Sequence, residues 1–68
     1  MLTWTERHAL AQHRVAEGQS LIERQRALIR SQTLLGNDTT EAEELLAKFE
    51  RSQAVFEHDL ARIVAERE

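Results

Sequence analysis

Cysteine, proline and tyrosine are all absent from this chain, and glycine appears only twice. Without cysteine there is neither a disulfide framework nor a thiolate metal site, the staples on which very small domains most often rely. Without proline, nothing forces a helix to break. Aromatic residues are limited to Trp4, Phe49 and Phe56. No apolar run approaches the roughly 20 residues that span a bilayer, and the opening MLTWTERHAL has neither the basic region nor the apolar stretch of a secretory leader. The cytoplasm is therefore the expected compartment. A glycine-rich phosphate loop, a nucleophile elbow and the H-E-x-x-H and E-x-x-H pairs of metal-binding helices are also missing, so no enzyme activity, cofactor or metal is expected.

What remains is a chain of 68 residues, 41% hydrophobic, with alanine, leucine, glutamate, glutamine and arginine dominant. That is the composition of long helices and coiled coils, and it predicts an all-α fold. At this length one core outweighs the entropy of ordering the backbone by no more than a few kcal/mol. Oligomerisation is the reinforcement left open.

Thr3 and Glu6 form an S/T-x-x-E capping box, which starts a first helix spanning residues 3–35. Gly36 can take the left-handed conformation that closes a helix, so residues 36–38 read as the turn. Asp38, Thr39 or Thr40 then caps a second helix over 39–66, frayed beyond Val64. Glu41, Glu43 and Glu44 sit in its first turn, where the helix dipole favours them. The whole chain is one antiparallel two-helix hairpin.

The rows His8, Val15, Ile22, Ile29 and Ala11, Gly18, Gln25, Gln32 recur every seven residues in helix one, with Leu21, Leu28 and Leu35 beside them. Helix two repeats Ala42, Phe49, Phe56, Ile63 with Leu46, Gln53 and Leu60. Each helix is expected to carry one apolar face. A turn centred on Asn37 pairs residues whose numbers sum to about 74, bringing Ala11 to Ile63, Gly18 to Phe56 and Gln25 to Phe49. A phenyl ring on the bare backbone of Gly18 would explain a glycine inside a helix; the plainer reading is that the glycine is merely tolerated. Leu21, Leu28, Leu35, Leu46 and Leu60 flank this seam and stay partly wet in a lone hairpin. That pattern predicts a homodimer, a four-helix bundle, with Val15, Gly18, Leu21, Ile22, Leu28, Ile29, Leu35, Leu46, Phe49, Phe56, Leu60 and Ile63 as core and interface.

Charge is segregated. Helix one has five arginines against three glutamates, a net +2, whereas residues 38–68 carry four basic side chains against nine acidic, a net −5. Such bias ordinarily sets register and partner choice in helical assemblies. The alternative is a phosphate-binding or acid-binding face built from Arg14, Arg24, Arg26 and Arg30, a nucleic-acid regulator in effect. The acidic second helix and the lack of aromatics among these arginines weigh against it. A third reading gathers His13, Glu17, His58 and Asp59 into a metal site. Trp4 and His8, one turn apart, are expected to pack at the bundle end.

The stretch Ile29-Arg30-Ser31-Gln32-Thr33-Leu34 resembles part of the first helix of the plasmid copy-number regulator Rop, a dimeric helical hairpin that binds paired RNA loops. More broadly, His13, Glu17-Gly18, Arg24-Gln25-Arg26, Leu28-Ile29, the turn Gly36-Asn37-Asp38-Thr39, and Leu45-Leu46 with Phe49-Glu50 resemble a group of short bacterial helical proteins of unassigned activity. These resemblances imply a hairpin and add no mechanism. The expected partners are a second copy of the chain, as a homodimer or higher oligomer, or another protein, with no membrane.

Overall fold

The computed structural model describes all 68 residues and contains two helices: α1, Trp4–Leu34, and α2, Thr40–Ala65. At about 1.5 Å per residue, 31 residues make a rod of roughly 46 Å. The molecule is accordingly long and thin, 49 × 21 × 14 Å. Neither helix is long and apolar enough to cross a membrane.

The capping box that starts α1 is complete. The Glu6 amide donates to Thr3 Oγ1 at 3.1 Å, and the Thr3 amide donates to Glu6 Oε1 at 3.1 Å. Donation from the Thr3 amide, and then from the Thr3 hydroxyl, holds the Glu6 carboxyl below its ordinary value of 4.5, because the ionised form is the better acceptor. At the far end the chain stops as a Schellman turn. Gly36, at φ +77°, follows the last residues of α1, while the Asn37 amide donates to the Gln32 carbonyl at 2.9 Å and the Gly36 amide to the Thr33 carbonyl at 3.0 Å. Asn37 Nδ2 also donates to the Gln32 side chain. Where such turns usually carry an apolar clasp, this one has an amide pair.

For α2 the capping role falls to Asp38. Its Oδ1 accepts from the Thr40 amide at 2.9 Å and from Thr40 Oγ1 at 2.7 Å. Those bonds push the Asp38 carboxyl below its ordinary range. Thr39, at the N-cap position itself, makes no side-chain cap.

The helices meet along the alternating rows expected from the sequence, but in a different register. Trp4 reaches Ile63, Gln53 reaches Val15 and Gly18, and Gln25 reaches Ala42. These partners sum to between 67 and 71, not 74, so α2 is displaced by about one to two turns. Gly18 faces Gln53 rather than Phe56, and Gln25 bonds the Ala42 backbone rather than packing on Phe49. The cause is the connection from Leu35 to Thr39. Instead of folding symmetrically about Asn37, it runs back alongside α1 before α2 begins, leaving Leu34 and Leu35 projecting at 88% and 70% exposure.

The seam is thin. Its buried apolar residues are Ala11, Ile22 and Ile63, joined by Gly18 and by two glutamines, Gln25 and Gln53, and no large side chain is fully enclosed. The expectation of one apolar face per helix holds only for α2. In α1 the apolar residues point two ways. Val15, Ile22 and Ile29 turn toward α2, whereas Leu10, Leu21 and Leu28 lie about a quarter-turn away, by the 3.6-residue period.

Candidate functional site

With one layer of two helices, the hairpin has two broad faces, and helical rotation assigns residues to each. The ion pair between Arg26 and Glu50, 3.3 Å, marks one of them. Around it Gln19, Glu23 and Glu57 line a shallow groove floored by Ile22 and Gln53. That face is polar.

On the opposite face stand Leu10, Leu21 and Leu28 from α1, at 39%, 41% and 45% exposure, and Leu45 from α2 at 41%. Phe49 and Phe56 turn partly the same way and are only half-buried, as are Leu46 and Leu60. Of the residues expected to form core and interface, Gly18, Ile22 and Ile63 are buried within the hairpin. Val15, Ile29, Leu46, Phe49, Phe56 and Leu60 are intermediate, and Leu21, Leu28 and Leu35 are exposed. Leu35 lies beyond the end of α1 and does not extend the leucine stripe over packed helix.

Gln25 and Gln53 form the polar part of the seam. Gln53 Nε2 donates to the Val15 carbonyl at 2.9 Å, and Gln25 Nε2 donates to the Ala42 carbonyl at 2.9 Å. Each carboxamide thus ties one helix to the other's backbone. The sequence placed both in the seam rows without giving them this role. The available signal was Gly18, whose missing side chain makes room for a polar group opposite.

A clamp closes the open end of the hairpin. Trp4 stacks on His8, with ring centroids 4.7 Å apart and planes within 10°, and the Arg67 guanidinium lies 4.5 Å from the indole centroid. The indole N–H donates to the Ile63 carbonyl at 2.9 Å, supplying a partner to the last turn of α2. Beside it Arg7 and Glu66 form a two-pronged ion pair, with N–O distances of 2.6 and 3.3 Å. Hydrogen bonding to Arg7 lowers the Glu66 carboxyl from its ordinary value and raises Arg7 in turn.

The four arginines of the alternative reading do not share a face. Helical rotation puts Arg14 and Arg24 toward the leucine side and Arg26 and Arg30 toward the polar side, and Arg26 is held by Glu50. The histidine and carboxylate cluster does not come together either. His13 pairs with Glu17 at 3.1 Å on the open surface, and Asp59 accepts from Arg62 at 2.8 Å. No three of the His, Asp and Glu side chains converge as metal ligands would.

Compared with protein-family models, curated proteins and solved structures, the chain has no significant match.

Proposed function

We propose that this chain is a self-associating helical hairpin, a small interaction or structural protein whose working unit is two hairpins packed face to face as a four-helix bundle. The observation that carries the reading is surplus surface. A compact monomer of this mass exposes about 4,400 Å², whereas the hairpin exposes 5247 Å². The excess is close to the roughly 800 Å² that each partner covers in an interface of standard size. Shape supports the same reading, since the radius of gyration is 15.6 Å against about 11 Å for a compact chain of this length.

Domains ordinarily enclose their core between two packed layers. A second hairpin on the leucine face supplies the missing layer and turns the half-buried phenylalanines into core. Alternating three- and four-residue spacing along both helices suits the coiled-coil-like packing of such bundles. The test is sedimentation velocity with thermal melting across a range of concentrations. The expected species has about twice the 7.9 kDa chain mass, with a melting temperature that climbs as protein is added. A sharply melting single chain at every concentration would remove the proposal.

A further inference from the structure

We infer that the occupant of the leucine face is a second copy whose turn lies at the same end as its own, so that α1 of one hairpin rests on α2 of the other. This rests on the self-association proposed above and adds its geometry. Two hairpins stacked by a two-fold axis can be arranged in two ways. With the axis parallel to the helices, α1 lies on the partner's α2 and both turns share one end. With the axis across the helices, α1 lies on its own copy, α2 does likewise, and the turns are at opposite ends. Either way, neighbouring helices run antiparallel, so backbone direction does not choose.

Charge does choose. The basic α1 and acidic α2 become neighbours in the first arrangement, whereas the second sets two strongly acidic helices against each other. An axis parallel to the helices also preserves height along the molecule. Residues of α1 therefore meet the partner residues that are level with them in the hairpin itself, with numbers summing to 67–71. At the turn end, Arg24 falls level with Glu44 of the acidic helix, and helical rotation turns both toward the leucine side, whereas Arg26 and Arg30 face the other way. Arg24 and Glu44 are each free of any ion pair within their own chain. In the opposite arrangement Glu44 would approach the end of α2 that carries Glu57, Asp59, Glu66 and Glu68 against Arg62 and Arg67, and those two arginines are already engaged by Asp59 and by the Trp4 ring.

The apolar groups agree with the charges. Leu21 comes level with Leu46 and Phe49, and Leu10 with the stretch from Glu57 to Ala61, which contains Leu60. Exposed leucines of one chain thus stand over half-buried side chains of the other. Like charges at the shared turn end remain a cost, which alternation of α1 with α2 around the bundle offsets.

The experiment uses the absence of native cysteine. Asn37→Cys, at the exposed turn, and separately Thr5→Cys, at the exposed open end, each carry one spin label per chain, and dipolar spectroscopy reads the distance between copies. Neighbouring helix axes in a bundle are about 8–10 Å apart, so the inferred geometry gives short distances, below roughly 30 Å, for both labels. Distances approaching the 49 Å length of the molecule overturn the inference while leaving self-association intact. Absence of any intermolecular distance, with a single-chain mass in sedimentation, removes both.

Discussion

The carboxamide of Gln53 occupies the space that a methyl group on Gly18 would fill: a Cβ built there would lie 2.7 Å from Gln53 Cδ and closer still to Oε1. The same side chain donates from Nε2 to the Val15 carbonyl, while its buried Oε1 has no hydrogen-bond partner. Glycine at this position is therefore a seat for the glutamine. Gly18→Ala sets two effects against each other, a helix-propensity gain of about 1 kcal/mol and the displacement of a buried hydrogen-bonded amide worth about 1–3 kcal/mol. In the native background the substitution is expected to be neutral or destabilising. With Gln53→Ala already present, it should stabilise by about 1 kcal/mol. Urea melts of the four proteins in this cycle give the coupling, and equal effects in both backgrounds would show the two residues to be independent.

Trp4 holds the end of α2 through its indole N–H and through stacking. Trp4→Phe keeps an aromatic ring beside His8 but removes the donor to Ile63. A loss of about 0.5–1.5 kcal/mol is expected, with hydrogen exchange accelerated first in the last turn of α2. Uniform acceleration along both helices would mean that the clamp has no local role.

Leu28 and Leu34 separate association from monomer stability. Both are exposed in the hairpin, at 45% and 88%, but only Leu28 lies in the stripe assigned to the interface. Leu28→Glu is expected to shift the sedimenting species toward the single chain and to lower the melting temperature. Leu34→Glu should change stability by no more than roughly 0.5 kcal/mol and leave the mass alone. If the two variants behave alike, the interface has been put on the wrong face.

The carboxyl of Glu66 is lowered from 4.5 by hydrogen bonding to Arg7. A depressed value in the folded state means that the pair contributes its stability above the ordinary glutamate range and loses it as pH falls through the lowered value. Carbon-detected NMR titration should find Glu66 below its ordinary value, and Arg7→Ala should bring it back. Glu6 and Asp38 shift in the same direction through Thr3 and Thr40, so Arg7→Ala leaves them unmoved. A Glu66 value indifferent to Arg7 would show that the ion pair does not persist in solution.

Much of this molecule was legible in residue order because the signals were local. Thr3 and Glu6 cap α1 from three positions apart, Gly36 ends it with a single backbone angle, and the pairing of Trp4 with His8 spans one helical turn. The seam rows were likewise visible, since the helical period alone brings Ala11, Gly18 and Gln25 to one side. Gln53 illustrates what was not visible. Its position in a largely apolar row gave no reason for an amide until Gly18 was found opposite it.

Residue order alone sets two helices, their ends and the side of each that turns inward, because a helix repeats every 3.6 residues and its caps bind neighbouring amides. The register, the exchange of Phe56 for Gln53 opposite Gly18, and the division of α1's apolar residues between seam and open face come instead from how the two helices pack. Those depend on the path taken by the five residues from Leu35 to Thr39 and on which side chains then fit. A slide of one or two turns along an antiparallel pair keeps the same rows facing each other, so heptad spacing cannot distinguish one register from the next.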